Sequence, residues 1–163
     1  AYARAAQGYV VPLNVAEARV AGVELGAALR GYDHLELGCN VTLLEPRDTT
    51  AGRLQHNDIL PFTSRLVVAP RLMLSTGELQ GALQRAALGA DLTYLSNRFA
   101  IAAGLIVIPE QTTLGVTGSA SFYSGIAIAR VRLANALDAE RFDIVGYPLP
   151  GRSVYGSLEV HTP

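Results

Sequence analysis

Between Pro46 and Phe62, side chains that ionise or donate hydrogen bonds crowd together: Arg47, Asp48, Arg53, His56, Asn57 and Asp58. Guanidinium, carboxylate, imidazole and amide groups in one loop could hold a polar ligand through charge-assisted hydrogen bonds. A solvated loop has the same composition, so this set is a candidate ligand-binding surface and no more. A second charged set is dispersed: Glu24, Arg30, Glu36, Arg65, Arg71, Arg85, Asp91, Arg130 and Arg132. Each lies in or beside a run where apolar and polar residues alternate, on the polar side. Charge on a dry face would be costly. On the wall of a water-filled or protein-filled lumen it is solvated or paired, and Glu24 and Glu36 are placed to pair with arginines across strands.

Other chemistry is excluded more readily. His34, His56 and His161 show no metal-ligand spacing, so neither a metal nor a cofactor is expected. Hydrolysis needs a nucleophile beside a base that a third group holds in place. Serines and aspartates occur on the polar faces, but no histidine accompanies them on neighbouring runs, so no catalytic residue is assigned and an enzyme is not expected. Cys39 is the single cysteine, which rules out an internal disulfide, and it lies on an apolar face as a small hydrophobe. Asn40-Val41-Thr42 matches a glycosylation sequon but falls in the middle of a run.

The elements that position these residues repeat. Val23, Leu25, Ala27 and Leu29 oppose Gly22, Glu24, Gly26, Ala28 and Arg30; Leu35, Leu37, Cys39, Val41 and Leu43 oppose Glu36, Gly38, Asn40 and Thr42. A period of two puts successive side chains on opposite faces of a strand. About seven such segments are expected: Val15–Arg30, His34–Glu45, Ser64–Ser75, Ala82–Tyr94, Glu110–Tyr123, Ile126–Ala134 and Ser153–Val160. Pro70 interrupts the third, where a missing amide marks a bulge or weak pairing. Connections alternate short and long. The turns near 32, 78 and 124 are tight, and the loops 46–62, 95–109 and 135–152 are long. The reading is all-β: an antiparallel meander of about seven long strands, part of a transmembrane β-barrel. Runs of about 9–11 residues cross a bilayer as tilted strands, with short turns on one side and long loops on the other.

Bulk properties agree. The chain has 163 residues, a net charge of −1 and a mean hydropathy of +0.26. No stretch approaches the ~20 apolar residues of a spanning helix. Every basic residue is arginine, and no basic stripe suggests nucleic acid, which is not expected as a partner. Alternation alone does not say which face is wet, so a soluble β-barrel binding domain or β-sandwich fits the strand pattern as well. A complete small outer-membrane barrel with a structural or adhesive role is a second alternative, disfavoured by an odd strand count.

Several motifs together resemble TonB-dependent outer-membrane receptors. Asn14, Ala16, Ala18, Gly22, Val23 and Glu24 look like one late barrel strand of that family, and the next strand ends Asn40-Val41-Thr42-Leu43-Leu44-Glu45-Pro46. Leu60-Pro61 precedes the following strand. Asn135, Leu137 and Asp138, then Gly146, Tyr147, Pro148, Pro150, Gly151 and Arg152, carry the most specific part. The resemblance runs from about residue 14 to 160, in order and spacing. It implies the C-terminal segment, residues 1–163, of a barrel of the 22-stranded, plugged type, working in energy-coupled uptake of a siderophore- or cobalamin-like nutrient. It also implies the partners: outer-membrane lipid, the upstream barrel strands, the plug domain, and the TonB complex through that upstream part. The location implied is the cell outer membrane of a Gram-negative bacterium. Plug and coupling box would lie upstream of Ala1, so the chain reads as a piece of something longer. Two departures stand out. The chain ends His161-Thr162-Pro163 where the family ends on an aromatic residue. With no Trp, the interfacial girdle is thin, Tyr94, Phe122, Tyr123 and Tyr155 being its best candidates.

Overall fold

A computed structural model of the chain describes residues 2–4, 10–12, 17–31, 34–50 and 59–161. They form an all-β structure. Two short strands, β1 (Tyr2–Arg4) and β2 (Val10–Pro12), pair with each other. The main sheet takes β3 (Ala18–Gly31), β4 (Leu35–Asp48), β5 (Leu66–Ser75) and β6 (Leu83–Leu95). Two short hairpin strands, β7 (Arg98–Phe99) and β8 (Val107–Ile108), follow in the next connection. The sheet continues with β9 (Gln111–Phe122) and β10 (Ala127–Ala134). A second loop hairpin, β11 (Phe142–Ile144) with β12 (Tyr147–Pro148), precedes the last strand, β13 (Ser153–Val160).

The seven long strands form one antiparallel sheet in the order β13-β10-β9-β6-β5-β4-β3. Each is one of the segments expected from period-two alternation, with ends shifted by a few residues. β4 runs on past Glu45 to Asp48 and pairs there with Ala18, while Val15 and Ala16, expected to open β3, lie outside the described residues. Because neighbours in sequence are neighbours in space and antiparallel, the three long connections leave from one end of the sheet and the short turns from the other. The 122–127 turn shows its local cause. Tyr123, Ser124 and Gly125 all have positive φ, at 52°, 57° and 83°, a run that closes the hairpin tightly and that Gly125 adopts without a Cβ penalty. Tyr32 and Asp33 of the first turn lie outside the described residues. At Pro70 the ladder behaves as a missing donor dictates. Cys39 still faces it from β4, but pairing to β6 lapses between Val68–Tyr94 and Arg71–Asp91, with the register unchanged and no bulge.

Apart from a register shift between Leu83 and Arg85 at the short-turn end of β6, register carries each face across the sheet. Leu25 faces Val41 and Val41 faces Val68; Leu88 faces both Leu74 and Gly118; Gly118 faces Val131, and Val131 faces Gly156. This apolar face is open. Leu25 is 63% exposed, Leu88 54% and Leu158 71%. At the long-loop end of β4 the same face turns charged, with Glu45 and Arg47 following Leu43. Tyr94 and Phe122 sit on it at opposite ends. Tyr155 does not: its partner is Arg132, which places it on the polar face and removes it from the expected apolar-side girdle.

Almost nothing in the sheet is buried. Among the described residues, the only buried hydrophobic residues are Ala100 and Ile108, in the β6–β9 connection. That connection and the β10–β13 connection are more ordered than long polar loops suggest, each folding back as a two-stranded hairpin. Every residue from Ala18 to Arg30 is exposed, as is every residue from Val154 to Val160. No pairing joins β3 to β13 among the described residues.

Candidate functional site

The polar face gathers most of the dispersed charges into a row that crosses the strands. Arg30 on β3 faces Glu36 on β4 and donates from Nε to its Oε2 at 3.3 Å. Arg71 on β5 reaches the other oxygen of Glu36 at 3.6 Å. Asp91 on β6 lies opposite Arg71 in register, yet its carboxylate is held by Arg132 from two strands away. Both guanidinium nitrogens of Arg132 donate to it, each at 2.9 Å, and Nη1 also donates to Thr117 Oγ1 at 2.9 Å. Arg130 and Glu159 pair at 2.9 Å between β10 and β13, and His161 Nε2 lies 3.0 Å from the same carboxylate.

Glycines make this row possible. Arg132 can cross β9 to reach Asp91 because residue 115 lacks a Cβ, which would stand 2.5 Å from Nη2 and 2.7 Å from Asp91 Oδ2. Residue 38 does the same for Arg71, whose Nε would be 2.8 Å from a Cβ there. Both guanidinium groups therefore lie low against the sheet instead of projecting from it. Between the Glu36–Arg71 and Asp91–Arg132 pairs, with Met73, Gly89 and Thr117, is a cavity of about 270 Å³. The pairs stay about half exposed. Each is thus worth roughly 0–1 kcal/mol; the row sets charge and shape more than stability.

The remaining residues of the polar set lie apart. Glu24 faces Thr42 and takes no part in the row. Arg65 is exposed just ahead of β5. Arg85 is exposed at the short-turn end, where Glu78, Gln84, Ser121 and Ser124 line a cavity of about 500 Å³ with it. Of the loop set, Arg47 and Asp48 belong to the end of β4 and not to a free loop. Arg47 pairs with Glu45 at 2.9 Å, and buried Asp48 accepts from the Thr50 amide at 3.0 Å. Arg53, His56, Asn57 and Asp58 lie outside the described residues, so no common site for that set is assembled.

The family-motif residues turn out to be joints. Gly22 lets Leu44 fold across the β3–β4 ladder, where a Cβ would meet the Leu43 carbonyl at 2.5 Å; Val23 is apolar-facing beside it. Asn135 is buried at φ 49° and ties its amide to both the N–H and the carbonyl of Ala139 at 3.0 Å. Asp138, at φ 53°, accepts the Arg152 amide at 2.8 Å through Oδ1, close above Gly151, where a Cβ would clash. Gly146 turns the β11–β12 hairpin at φ 87°, and Arg141 donates to the Pro150 carbonyl at 3.0 Å. Gly takes positive φ because it has no Cβ, and Asn and Asp tolerate it because their short polar side chains hydrogen-bond locally, which is why these residue types stand at these places.

No protein-family model matches the chain, and no curated protein matches it in sequence.

Two buried polar residues that tie the long connections together escape a reading by alternation, and a third, Thr117, is legible by its parity but not by its partner. Arg98 is 5% exposed and donates to the Phe142 carbonyl at 2.6 Å, with Gln111 donating to the same oxygen at 2.8 Å. These bonds lock the β6–β9 connection to the β10–β13 connection. Thr117 completes the Asp91–Arg132 clamp. Arg98 sits in a two-residue strand too short to show a period, and Gln111 opens its strand, so neither stands out. Thr117 does lie on the polar parity of β9, and the glycine two positions earlier was the available signal for a long side chain crossing there. Within the described residues no group of His, Cys, Asp and Glu side chains could hold a metal ion. The chemistry on offer is paired charge on one face of an open sheet.

Proposed function

We propose that this chain forms wall and loops of an outer-membrane β-barrel of the TonB-dependent receptor kind, which imports a siderophore- or cobalamin-like nutrient. One observation carries the membrane half of the proposal. Seven register-matched strands present a continuous exposed face of Leu, Val and Ala on one side and a row of ion pairs on the other. A soluble protein rarely leaves so broad an apolar surface open, because contiguous patches beyond a few hundred Å² drive association. Lipid removes that cost. The apolar stretch from Leu35 to Leu43 is about 27 Å long at ~3.4 Å per residue, and at a tilt of ~40° it spans about 21 Å of the ~25 Å apolar band of outer-membrane barrels. Glu45 and Arg47 then fall where the headgroups begin.

The receptor half rests on the ordered motifs from Gly22 to Arg152 and on three long connections leaving one end of the sheet. In this reading the long-loop end takes the ligand, the ion-pair row faces the plug, and the upstream part engages the TonB complex. No step of chemistry is required of the wall.

Two measurements test the proposal. The chain mixed with preformed phospholipid vesicles should float with them in a density gradient and resist extraction by urea. Recovery in the aqueous fraction without detergent refutes the membrane reading. Cells of the source bacterium lacking the protein should lose uptake of one compound in a panel of ferric siderophores and cobalamins, with passage of small sugars unchanged. Unaltered uptake across the panel refutes the receptor reading.

A further inference from the structure

The polar face has a second concavity, at the end of the sheet opposite the long connections. Its walls are two neighbouring short turns, β5–β6 and β9–β10. The first is folded back against β6 by the Thr76 and Leu79 amides, which donate to the Ala86 and Gln84 carbonyls at 2.8 Å each. The second carries Ser124 and Gly125. Gln84 Nε2 donates to Ser124 Oγ at 3.2 Å and joins the two turns. The cavity between them is about 500 Å³, within the range of small-molecule sites.

A bulge aims the joining residue. Leu83 pairs with Phe122 and Arg85 with Ser121, so β6 takes two steps where β9 takes one, and Gln84 is the extra residue. Such a residue leaves the ladder, and its side chain is released from strict alternation. Here it brings an amide to the cavity, while Arg85 keeps to the polar side beside Ser121. Among the described residues this is the one register shift in the main sheet.

The charges here are arranged unlike those of the row. Arg71 meets Glu36, Arg132 meets Asp91 and Arg130 meets Glu159, each across strands. Glu78 and Arg85 line one cavity with opposite charge, yet among the described residues neither makes an ion pair or a side-chain hydrogen bond, with the other or elsewhere. Two opposite charges that share a concavity without touching form a positive and a negative subsite side by side. A simple anion or cation would meet one partner and one like charge; a molecule carrying both charges meets two partners. Hydrogen-bonding groups complete the lining. The Ser121 and Ser124 hydroxyls each have a proton to donate, and Gln84 Oε1 is left to accept because only Nε2 is engaged. Leu79 is the single large apolar side chain in the lining, which disfavours a lipid tail or a bare aromatic ring.

We propose that this cavity binds the zwitterion of an α-amino acid with a polar side chain. Arg85 donates to its carboxylate, Glu78 accepts from its ammonium, and Gln84, Ser121 and Ser124 exchange hydrogen bonds with its side chain. The site is separate from the long-loop end and from the ion-pair row, and it does not depend on the receptor reading.

Titration of the full chain in non-ionic detergent micelles, followed by the NMR shifts of backbone amides, tests the proposal with L-glutamine as the probe. Amides in 78–85 and 121–125 should shift together and saturate, with half-saturation at about 1 mM or below, while those in 135–152 stay in place. N-acetyl-L-glutamine lacks the ammonium and L-glutamine α-amide lacks the carboxylate. Each should bind roughly tenfold more weakly or worse, since each forfeits one charged partner. Glu78→Gln and Arg85→Gln should each weaken glutamine by a similar factor; both side chains are exposed, so neither change threatens the fold. Absence of saturable shifts at these amides overturns the proposal. So does equal binding of glutamine and its two singly charged analogues, or binding that neither substitution weakens. Vesicle flotation reads the membrane assignment separately, and none of these outcomes alters it.

Discussion

Leu25 and Leu105 are a matched pair for deciding what the apolar face meets. Both are well exposed, at 63% and 82%, and both are leucines. Leu25 lies in the middle of β3 opposite Val41, on the face that continues across the sheet, whereas Leu105 lies in the β6–β9 connection. Consider arginine at each. In water, a Leu25 that is about one-third buried forfeits roughly that fraction of the ~1.5–3 kcal/mol of a fully buried leucine, so about 0.5–1 kcal/mol. An exposed loop leucine forfeits less than ~0.5 kcal/mol. In a bilayer the loop value stays the same, but an arginine near the midplane adds ~2–4 kcal/mol. Leu25→Arg should therefore cost about 2.5–5 kcal/mol in vesicles, and Leu105→Arg next to nothing. The assay is reversible urea titration of the chain in thin phospholipid vesicles, followed by far-ultraviolet circular dichroism and by protease protection. Equal costs below ~1 kcal/mol at the two positions would refute the reasoning, since Leu25 would then be facing water.

The other expectations concern the ion-pair row and the loops. Gly115→Ala should displace the Arg132 guanidinium from Asp91 and lower stability by no more than about 1 kcal/mol, the worth of the half-exposed pair, seen as a reduced urea midpoint, and should cost nothing further in an Arg132→Ala background. A double-mutant cycle on Asp91→Asn and Arg132→Met should give a coupling of roughly 0.5–1 kcal/mol that shrinks in 1 M salt; a coupling unchanged by salt contradicts the half-exposed geometry. Asp138→Ala removes the acceptor of the Arg152 amide and should cost about 1 kcal/mol, with proteolysis in the 135–152 connection accelerating while that in 96–110 does not. In a Cys39→Ser background, impermeant maleimide on intact cells should label cysteine at Thr50 or Ala139 and spare cysteine at Ser124; equal labelling of all three would contradict the assignment of ends.

The main sheet was legible because its signal is local. Alternation in β3 and β4 lasts for most of fourteen residues, and no tertiary contact competes with it. Strand order followed from connection lengths. The polar set was legible by parity alone, but its pairing was not. Asp91 stands opposite Arg71 and binds Arg132 instead, a choice made by the room that Gly115 leaves and by side-chain length, neither of which parity records. The loop hairpins were missed because strands of two or three residues, such as Arg98–Phe99, carry no period. Tyr155 stands on the polar side for a reason that parity does record: it alternates with Val154 and shares its face with Ser157 and Glu159, and its register to Arg132 agrees.

A folded domain usually carries with it the interior that keeps it folded. This one scarcely does. With Ala100 and Ile108 as the buried hydrophobic residues of the described chain, the largest favourable contribution to its folding comes from whatever touches its outer surfaces. On the membrane reading proposed above, the medium is a structural component, present in many loosely held molecules and exchangeable. Changing acyl-chain length or detergent becomes equivalent to repacking a core, and should move the unfolding midpoint as far as multiple core substitutions do in a water-soluble protein. Conversely, deep mutational scanning should find the familiar gradient reversed: intolerance of polar residues greatest at the sheet's most exposed apolar positions, and tolerance increasing toward the loops, except at the few joints such as Asn135 and Asp138 that are held from within.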